Sequence, residues 1–262
     1  MPTRDTPWPS GTPCWIDYGA EDLDAAKAFY AALSGWEYSE GQEEYGGYLN
    51  ALKNGQQAAG LGPRMDPNAP VAWTTYFATD DSAAAVGRIT EAGGTVLIQP
   101  MEVAPFGIMT IAVDPQGNMF GLWESREHTG FRIHSEPGAF AWTELMVADT
   151  AAARQFYSAV FGWTFQELGP EAGDTGGMDY KTFTLGENPL GGLGAAQEGM
   201  PTGWLTCFAV ESTDGAVATA ESKGGKVTTP AMDTPYGRFA VIADPWGAPF
   251  EVMGRPTAEP VG

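Results

Sequence analysis

Residues Trp15–Trp36, WIDYGAEDLDAAKAFYAALSGW, carry the pattern that decides the fold. The run from Cys14 to Tyr18 is typical of a short strand, and Asp22 stands where a helix N-cap is expected. The apolar residues that follow have the spacing of one helix face: Leu23, Ala26, Tyr30 and Leu33. Gly35 then predicts the end of the helix, because glycine readily adopts the left-handed conformation found there.

The same pattern returns 127 positions later as Trp142–Trp163, WTELMVADTAAARQFYSAVFGW. Later landmarks also recur in order: Tyr48, Leu61-Gly62, Gly93-Gly94 and Asp114-Pro115 return as Tyr180, Leu193-Gly194, Gly224-Gly225 and Asp244-Pro245. Such ordered self-similarity predicts a tandem duplication. We therefore expect domain 1 at residues 11–124, a linker at 125–138 and domain 2 at 139–255.

Each copy is itself predicted to contain two βαβββ units, which makes the fold class α+β. In the first copy, the second unit is a strand near 73–79, a helix near 82–92 and strands at 96–98 and 108–113. The turn Asp114-Pro115-Gln116-Gly117 then precedes a last strand at 119–123.

The charge of the chain excludes some classes of partner. Thirteen Lys and Arg against thirty-three Asp and Glu give a formal net charge of −20, which repels nucleic-acid phosphates and anionic membrane surfaces. The same charge favours solubility and attracts cationic ligands over long range. We predict a small-molecule ligand, with neither nucleic acid nor membrane as a partner.

Cysteine content and the N-terminus predict a cytoplasmic protein. Cys14 and Cys207 are far apart in sequence and are not matched positions of the repeat, so no disulfide framework is indicated. The first residues lack the apolar core of a signal peptide, and no apolar run has membrane-spanning length.

The order strand, Asp-Leu-x-x-Ala-x-x-Phe-Tyr, Gly-Trp and Asp-Pro-x-Gly before a final strand resembles the vicinal oxygen chelate superfamily. This superfamily includes glyoxalases, bleomycin-resistance proteins and extradiol dioxygenases. The segments Gly11–Asp17 and Ala141–Leu145 are similar to an actinobacterial two-domain branch that includes the mycobacterial 27 kDa antigen, members of which are often labelled hydroxylases. The resemblance implies a strongly curved, cup-shaped mixed sheet in each domain, with the helices outside.

Metal-using members of this superfamily hold a divalent cation with ligands on four strands of the cup. The resemblance places those positions on residues that are mostly poor ligands: Trp15 and Trp142, Thr74 and Leu205, Gly121 and Glu251, and the stretches 58–62 and 190–194. Only Glu251 remains as a ligand. We therefore expect no metal and no other cofactor, with a divalent metal as the alternative.

Two matched acidic residues on the first strands are candidates for acid–base chemistry or ligand binding. Asp17 and Glu144 each lie two residues after the first-strand tryptophan, and therefore on the same face as it. Burial in a cup would raise the pKa of either carboxyl group. Glu144 with Glu251 is the predicted catalytic pair, whereas an outward-facing position is the alternative for Asp17 and Glu144.

Aromatic residues recur at matched positions and are the predicted ligand-binding set: Trp15, Trp73, Phe106, Trp142, Trp204 and Tyr236. Flat apolar side chains stack on planar ligands, although a duplicated fold also repeats its core. Phe106 and Tyr236 lie in Pro-x-Gly loops expected at the lip of the cup. Arg238 has no charged counterpart in copy one and is predicted to orient an anionic or carbonyl group, with a surface ion pair as the alternative.

Three functions from different classes remain. The leading one is a metal-independent protein that encloses a planar metabolite, in natural-product biosynthesis or self-resistance. The second is an enzyme, a lyase, isomerase or hydroxylase-like tailoring protein, with one working site in domain 2. The third is a structural or interaction protein with vestigial pockets. A monomer is expected and a homodimer is the alternative. No role is predicted for His128 and His134 in the linker.

Overall fold

The computed structural model describes residues 4–64, 66, 71–169 and 179–255. In domain 1 the elements are β1 (Pro13–Ala20), α1 (Leu23–Ser34), β2 (Glu37–Tyr38), β3 (Leu49–Lys53), β4 (Gln56–Pro63), β5 (Trp73–Ala78), α2 (Ser82–Glu91), β6 (Thr95–Val103), β7 (Gly107–Val113) and β8 (Met119–Ser125). In domain 2 they are β9 (Phe140–Val147), α3 (Thr150–Phe161), β10 (Thr164–Glu167), β11 (Tyr180–Leu185), β12 (Asn188–Ala195), β13 (Gly203–Ala209), α4 (Thr213–Ser222), β14 (Lys226–Thr234), β15 (Gly237–Ala243) and β16 (Pro249–Gly254).

The first helix of each domain begins and ends at the residues that the sequence predicts. The Asp22 carboxylate accepts a hydrogen bond from the backbone N–H of Ala25, and Gly35 follows the helix in the left-handed conformation with φ 66°. Asp149 and Gly162 cap α3 in the same manner. Because a side chain and a glycine satisfy the terminal backbone groups, the helix length is fixed locally.

Each domain forms one eight-stranded mixed sheet, and the two sheets have the same strand order. The order is β2-β3-β4-β1-β5-β8-β7-β6 in domain 1 and β10-β11-β12-β9-β13-β16-β15-β14 in domain 2. The two βαβββ units of each domain join through one antiparallel strand pair, which is β1 with β5 in domain 1 and β9 with β13 in domain 2. The predicted α+β duplication is therefore confirmed, although β6 extends to Val103, well beyond the strand predicted at 96–98.

The sheet of domain 1 curls until residues near its two edges meet. Tyr45, in the turn after β2, donates a hydrogen bond to the backbone oxygen of Ala104, after β6 at the opposite edge. The Tyr45 ring also packs against Phe106. We call the concave face of this sheet cup 1 and the matching face of domain 2 cup 2.

The convex faces of the two sheets pack against each other, with the helices beside them. One buried cluster combines Phe77 and Ile89 of domain 1 with Leu145 and Phe156 of domain 2. α2 lies against α3, and α1 lies against α4. The two cups therefore face away from each other.

Reciprocal hydrogen bonds join the domains across this interface. Tyr30 on α1 donates to Asp244 of the domain 2 turn at 3.0 Å, and Tyr157 on α3 donates to Asp114 of the domain 1 turn at 3.2 Å. The indole N–H of Trp163 donates to the Gly11 carbonyl. The recurring Asp-Pro turns thus bind the helix of the other domain as well as shaping their own hairpins.

The segment between the domains packs against the open end of cup 1. The backbone N–H of Phe131 donates to the Cys14 carbonyl on β1, and that of Arg132 donates to the Gln57 carbonyl on β4. Phe131 is fully buried and stacks on Phe140 of β9. This segment contributes to the core of domain 1 in addition to connecting the two copies.

The described α-helices contain ten to twelve residues each. Within the described ranges, none combines the length and the apolar character that crossing a bilayer requires.

Candidate functional site

Strand register brings the acidic residues of domain 2 onto one face. Glu144 on β9 pairs with Leu205 on β13, and Cys207 on β13 pairs with Glu251 on β16. Because β13 lies between β9 and β16, the side chains of Glu144 and Glu251 project from nearby positions into cup 2. Residues more than one hundred positions apart in sequence therefore form the floor of one cup.

Glu144 and Glu251 share a hydrogen bond, and Glu144 has further donors. The Tyr180 hydroxyl donates to Glu144 Oε1 at 2.5 Å and accepts the indole N–H of Trp142 at 3.4 Å. The indole also lies close enough to Glu144 to lower the pKa of its carboxyl group. Three donors around one carboxyl group stabilise its ionised form. Burial and the neighbouring charge of Glu144 raise the pKa of Glu251 well above its ordinary value, so Glu251 is the member of the pair that holds a proton more readily.

Burial raises the pKa of both carboxyl groups. For Glu144, hydrogen bonds from Tyr180, Glu251 and Trp142 oppose that effect. For Glu251, the neighbouring charge of Glu144 raises the pKa further, and the side chain is only 1% exposed. Two carboxyl groups that hydrogen-bond each other and both have raised pKa values can accept and return a proton.

Cys207 lies next to Glu251 on the same floor. Burial raises the pKa of its thiol, and the charges of Glu251 and Glu144 act in the same direction. The thiol is therefore neutral and a poor nucleophile.

The floor of cup 1 has different chemistry at the same positions. Asp17 matches Glu144, Tyr76 matches Cys207 and Gly121 matches Glu251. Tyr76 lies over Gly121 so closely that a Cβ atom at position 121 would be 2.1 Å from its ring. Burial raises the pKa of Asp17 to about 7, against a hydrogen bond from Tyr76 that lowers it. Cup 1 therefore holds a single carboxyl group where cup 2 holds a pair.

Cup 1 is also more completely filled than cup 2. The ring of His128 lies edge-on to Trp15 at 4.4 Å between centroids, and Phe131 packs on the same indole. Trp15 is 3% exposed, whereas its counterpart Trp142 is partly exposed. Met109 and Trp123 are buried, whereas their counterparts Phe239 and Met253 are partly exposed.

Two tryptophans predicted to bind ligand lie on the opposite face of the sheet. Trp73 pairs with Tyr18, and its indole N–H donates to Tyr30 in the interface between the domains. Trp204 donates to Tyr157 in the same way. Both are buried in cores on the convex side, so they line neither cup.

Arg238 lies outside cup 2 and forms ion pairs. Its guanidinium bonds Asp214 at the start of α4 and approaches Asp233 of β14. Strand register explains this position. Val241 pairs with Glu251 and therefore faces cup 2, as does Phe239 two residues before it. Arg238 is next to Phe239 on β15, so its side chain projects from the opposite face of the sheet. Its predicted role in orienting a ligand in the cup does not fit this location, which matches the surface ion-pair alternative.

The remaining predicted residues lie in or near the cups. Trp15, Asp17 and Trp142 are on the concave faces, and Phe106 packs under Tyr45 at the edge of cup 1. Tyr236 is 53% exposed in the hairpin between β14 and β15. The sequence prediction omitted Tyr48, Tyr76 and Tyr180 as site residues. The recurrence of Tyr48 as Tyr180 could have identified these two residues as site candidates. Tyr76 has no aromatic counterpart in the second copy, so the repeat gave no signal for it.

The donor set does not fit the divalent metal that some members of the resembled superfamily bind. At the first-strand positions, Trp15 and Trp142 have no lone pair to offer, and the Glu144 oxygens are occupied by Tyr180 and Glu251. Within the described ranges, no three His, Cys, Asp or Glu side chains are grouped so that they could hold a metal ion.

Two open grooves lie elsewhere on the described surface. One of about 300 Å³ lies between the domains beside Gly11, Thr79 and the end of α3, where the Arg88 Nε binds the Val160 carbonyl. The other, of about 210 Å³, lies beside Trp8, Trp123 and Thr129. The second groove is also lined by Asp80 and Glu124, and the Glu124 carboxylate accepts the backbone N–H of Ser82.

Comparison with known proteins identifies both halves. A family described as Glyoxalase-like domain matches residues 14–123, and the Glyoxalase/Bleomycin resistance protein/Dioxygenase superfamily matches residues 139–252.

Two relatives match nearly the full length of the chain. It is 36% identical over 261 residues to "Putative glyoxylase CFP32" of Mycobacterium bovis, covering 97% of this chain and 98% of that protein. It is 35% identical over 263 residues to anthracycline biosynthesis protein DnrV of Streptomyces peucetius, covering 93% of each chain.

Solved structures share the fold at low sequence identity. The Mn(II)-bound glyoxalase from Novosphingobium aromaticivorans has a TM-score of 0.64 at 17% identity, covering 94% of this chain and 82% of that one. The 2,3-dioxygenase LapB from Pseudomonas sp. KL28 has a TM-score of 0.63 at 15% identity, covering 98% and 96%.

Proposed function

This chain belongs to the glyoxalase/bleomycin resistance/dioxygenase superfamily, and on that premise we propose that it binds a small planar organic molecule in cup 2 without a metal ion. The proposal rests on the Glu144–Glu251 pair, a proton-sharing group on the floor of a cup with partly exposed apolar walls. Small-molecule sites commonly combine such walls with a few polar groups that fix orientation.

Chemical context supports a natural-product ligand. Relatives matching 93% and 95% of this chain are named anthracycline biosynthesis proteins, from Streptomyces peucetius and Streptomyces sp. strain C5. A planar ligand would stack on Trp142, with Phe239 and Met253 along the opposite wall, and its polar end would reach the two carboxyl groups.

A second candidate function is acid–base catalysis at the same site. The specific observation in its favour is that the two carboxyl groups hydrogen-bond each other and both have raised pKa values, so the pair can remove a proton at one ligand atom and return it at another. This chemistry suits a lyase or isomerase and uses only side chains of this chain.

Calorimetry with a fused-ring probe such as 1,4-dihydroxyanthraquinone tests the binding function. We expect one binding site per chain, with affinity reduced about fivefold by Trp142→Phe, since stacking contributes on the order of 1 kcal/mol. The matched control, Trp15→Phe in cup 1, should leave affinity unchanged. Two equivalent sites, or sensitivity to the control alone, would overturn the assignment to cup 2.

Elemental analysis after incubation with nickel, zinc, iron(II) and manganese tests metal independence. We expect no stoichiometric retention of any of these metals. Stoichiometric metal that is lost in Glu251→Gln would show that the pair is a metal site. Conversion of a bound probe that stops in both Glu144→Gln and Glu251→Gln would favour the catalytic function.

A further inference from the structure

Among the described residues, no cation lies beside the Glu144 carboxyl group. Its described surroundings are hydrogen-bond donors, Tyr180, Trp142 and Glu251, and no Lys, Arg or His contributes to the environment of either carboxyl group in the described chain. Arg238 is ion-paired with Asp214 outside the cup. Glu144 is only partly exposed, so an ionised group there without a counter-charge is costly, and an incoming cation would lower that cost.

Glu251 presents a second unmet requirement. In the described chain its Oε1 is buried and has no hydrogen-bond partner. With the Glu251 proton donated to Glu144, Oε1 is a free acceptor. A buried acceptor without a partner is destabilising, so a ligand that supplies an N–H or O–H group gains affinity by donating to it.

The walls of cup 2 and the charge of the whole protein favour the same kind of ligand. Trp142, Tyr180 and Phe239 surround the floor and are partly exposed. Aromatic faces attract organic cations, and indole does so most strongly. The net charge of −20 raises the local concentration of cations near an acidic site.

From these observations we propose that the ligand of cup 2 carries a protonated amine on an aromatic frame. Its N–H group donates to Glu251 Oε1 beside the Glu144 carboxylate, and the frame stacks on Trp142. This inference rests on the proposed binding function and adds the charge class of the ligand. Carboxylate and phosphate ligands are disfavoured by the same charge.

Three probes that share one ring system separate charge from stacking. These are 2-naphthylmethylamine, 2-naphthylmethanol and 2-naphthoate, titrated calorimetrically into the full-length protein at pH 7.5. We expect the amine to bind at least tenfold more tightly than the alcohol, and the carboxylate to bind more weakly than either. Glu144→Gln should bring the affinities of amine and alcohol within about twofold of each other while leaving that of the alcohol unchanged.

Asp17→Asn is the matched control, because it removes the corresponding carboxyl group from cup 1. It should leave all three affinities unchanged. If Glu144→Gln does not fold, the pH dependence of the wild-type protein gives the same information. Protonation of Glu144 on acidification should weaken binding of the amine and spare the alcohol.

The possible failures are distinct. Equal affinity for amine and alcohol, or preference for naphthoate, would overturn the charge class while leaving the binding function in place. Loss of amine preference in Asp17→Asn rather than Glu144→Gln would move the cation site to cup 1 and overturn this proposal. Absence of binding by all three probes would count against the binding function itself as well as its charge class.

Discussion

Cup 1 and cup 2 come from one duplicated sequence and share strand order and register, but their floors differ at three matched positions. Cup 1 has Asp17, Tyr76 and Gly121, and cup 2 has Glu144, Cys207 and Glu251. The Tyr76 ring occupies the space above Gly121, whereas the smaller Cys207 leaves room for Glu251. A pair of exchanges on adjacent strands therefore separates a floor with one carboxyl group from a floor with two.

The second difference is the segment between the domains. Phe131 and His128 contact Trp15 of cup 1 and keep it buried. Trp142 of cup 2 is partly exposed. Within one duplicated fold, cup 1 therefore has the more densely packed aromatic end and cup 2 has the paired carboxyl groups.

The largest predicted effect comes from removing the residue that fills the end of cup 1. Phe131→Ala should lower the free energy of unfolding by about 4 kcal/mol, because a fully buried ring that stacks on Phe140 leaves a cavity. Urea denaturation measures the change. Tyr236→Ala at the exposed lip of cup 2 is the control, expected to cost less than about 0.5 kcal/mol. Similar losses for both variants would mean that the linker does not pack in cup 1.

A glutamate at position 121 of cup 1 should be tolerated only if Tyr76 is also replaced by cysteine, the matched residue of cup 2. Gly121→Glu alone should destabilise the protein by about 3 kcal/mol, because its Cβ would meet the Tyr76 ring. Adding Tyr76→Cys should restore about 2 kcal/mol. A double-mutant cycle by chemical denaturation measures this coupling. Additive effects of the two substitutions on the free energy of unfolding would show that the side chains at positions 76 and 121 do not compete for the same space.

His128 should make cup 1 sensitive to acid. Burial, with a smaller effect from Arg132, lowers the pKa of His128 to about 4, so the unfolded chain binds this proton more readily than the folded protein does. Stability associated with the neutral ring is complete above about pH 6.5 and is lost as pH falls towards 4. His128→Leu should therefore remove about 2 kcal/mol of the stability loss between pH 7.5 and pH 5.

Unfolding by urea at the two pH values measures this effect. His134→Leu is the control, since that ring is partly exposed and should change the acid sensitivity less. An unchanged acid response in His128→Leu would show that this imidazole is not desolvated in the folded protein.

The smallest predicted difference compares two matched tyrosines. Both hydroxyls accept the indole N–H of the matched tryptophan, Tyr48 at 3.0 Å and Tyr180 at 3.4 Å, and Tyr180 also donates to the Glu144 carboxyl group. Tyr180→Phe should cost about 1.5 kcal/mol and raise the pKa of Glu144 further, and Tyr48→Phe should cost about 1 kcal/mol. Denaturation and carboxyl NMR titration measure these changes. A Glu144 pKa that is unaffected by Tyr180→Phe would contradict the assigned hydrogen bond.

Much of the architecture follows from short-range signals in the sequence. The Asp22 cap, the Gly35 end and their copies at Asp149 and Gly162 define helices through local hydrogen bonds and backbone conformation. Alternation along a strand also correctly placed Asp17 on the same face as Trp15. These features depend on residues only a few positions apart, which is why one sequence sufficed.

Tertiary structure decided which face of each strand belongs to a cup, since alternation distinguishes two faces without assigning either to ligand or core. Trp73 lies on the convex side because β5 pairs with β1 in the register that places it opposite Tyr18, and the second domain then covers both. The meeting of Glu144 with Glu251 and the burial of His128 likewise depend on strand order and inter-segment packing. Sequence by itself determined the duplicated fold through local caps and periodicity, and long-range pairing determined where its chemistry lies.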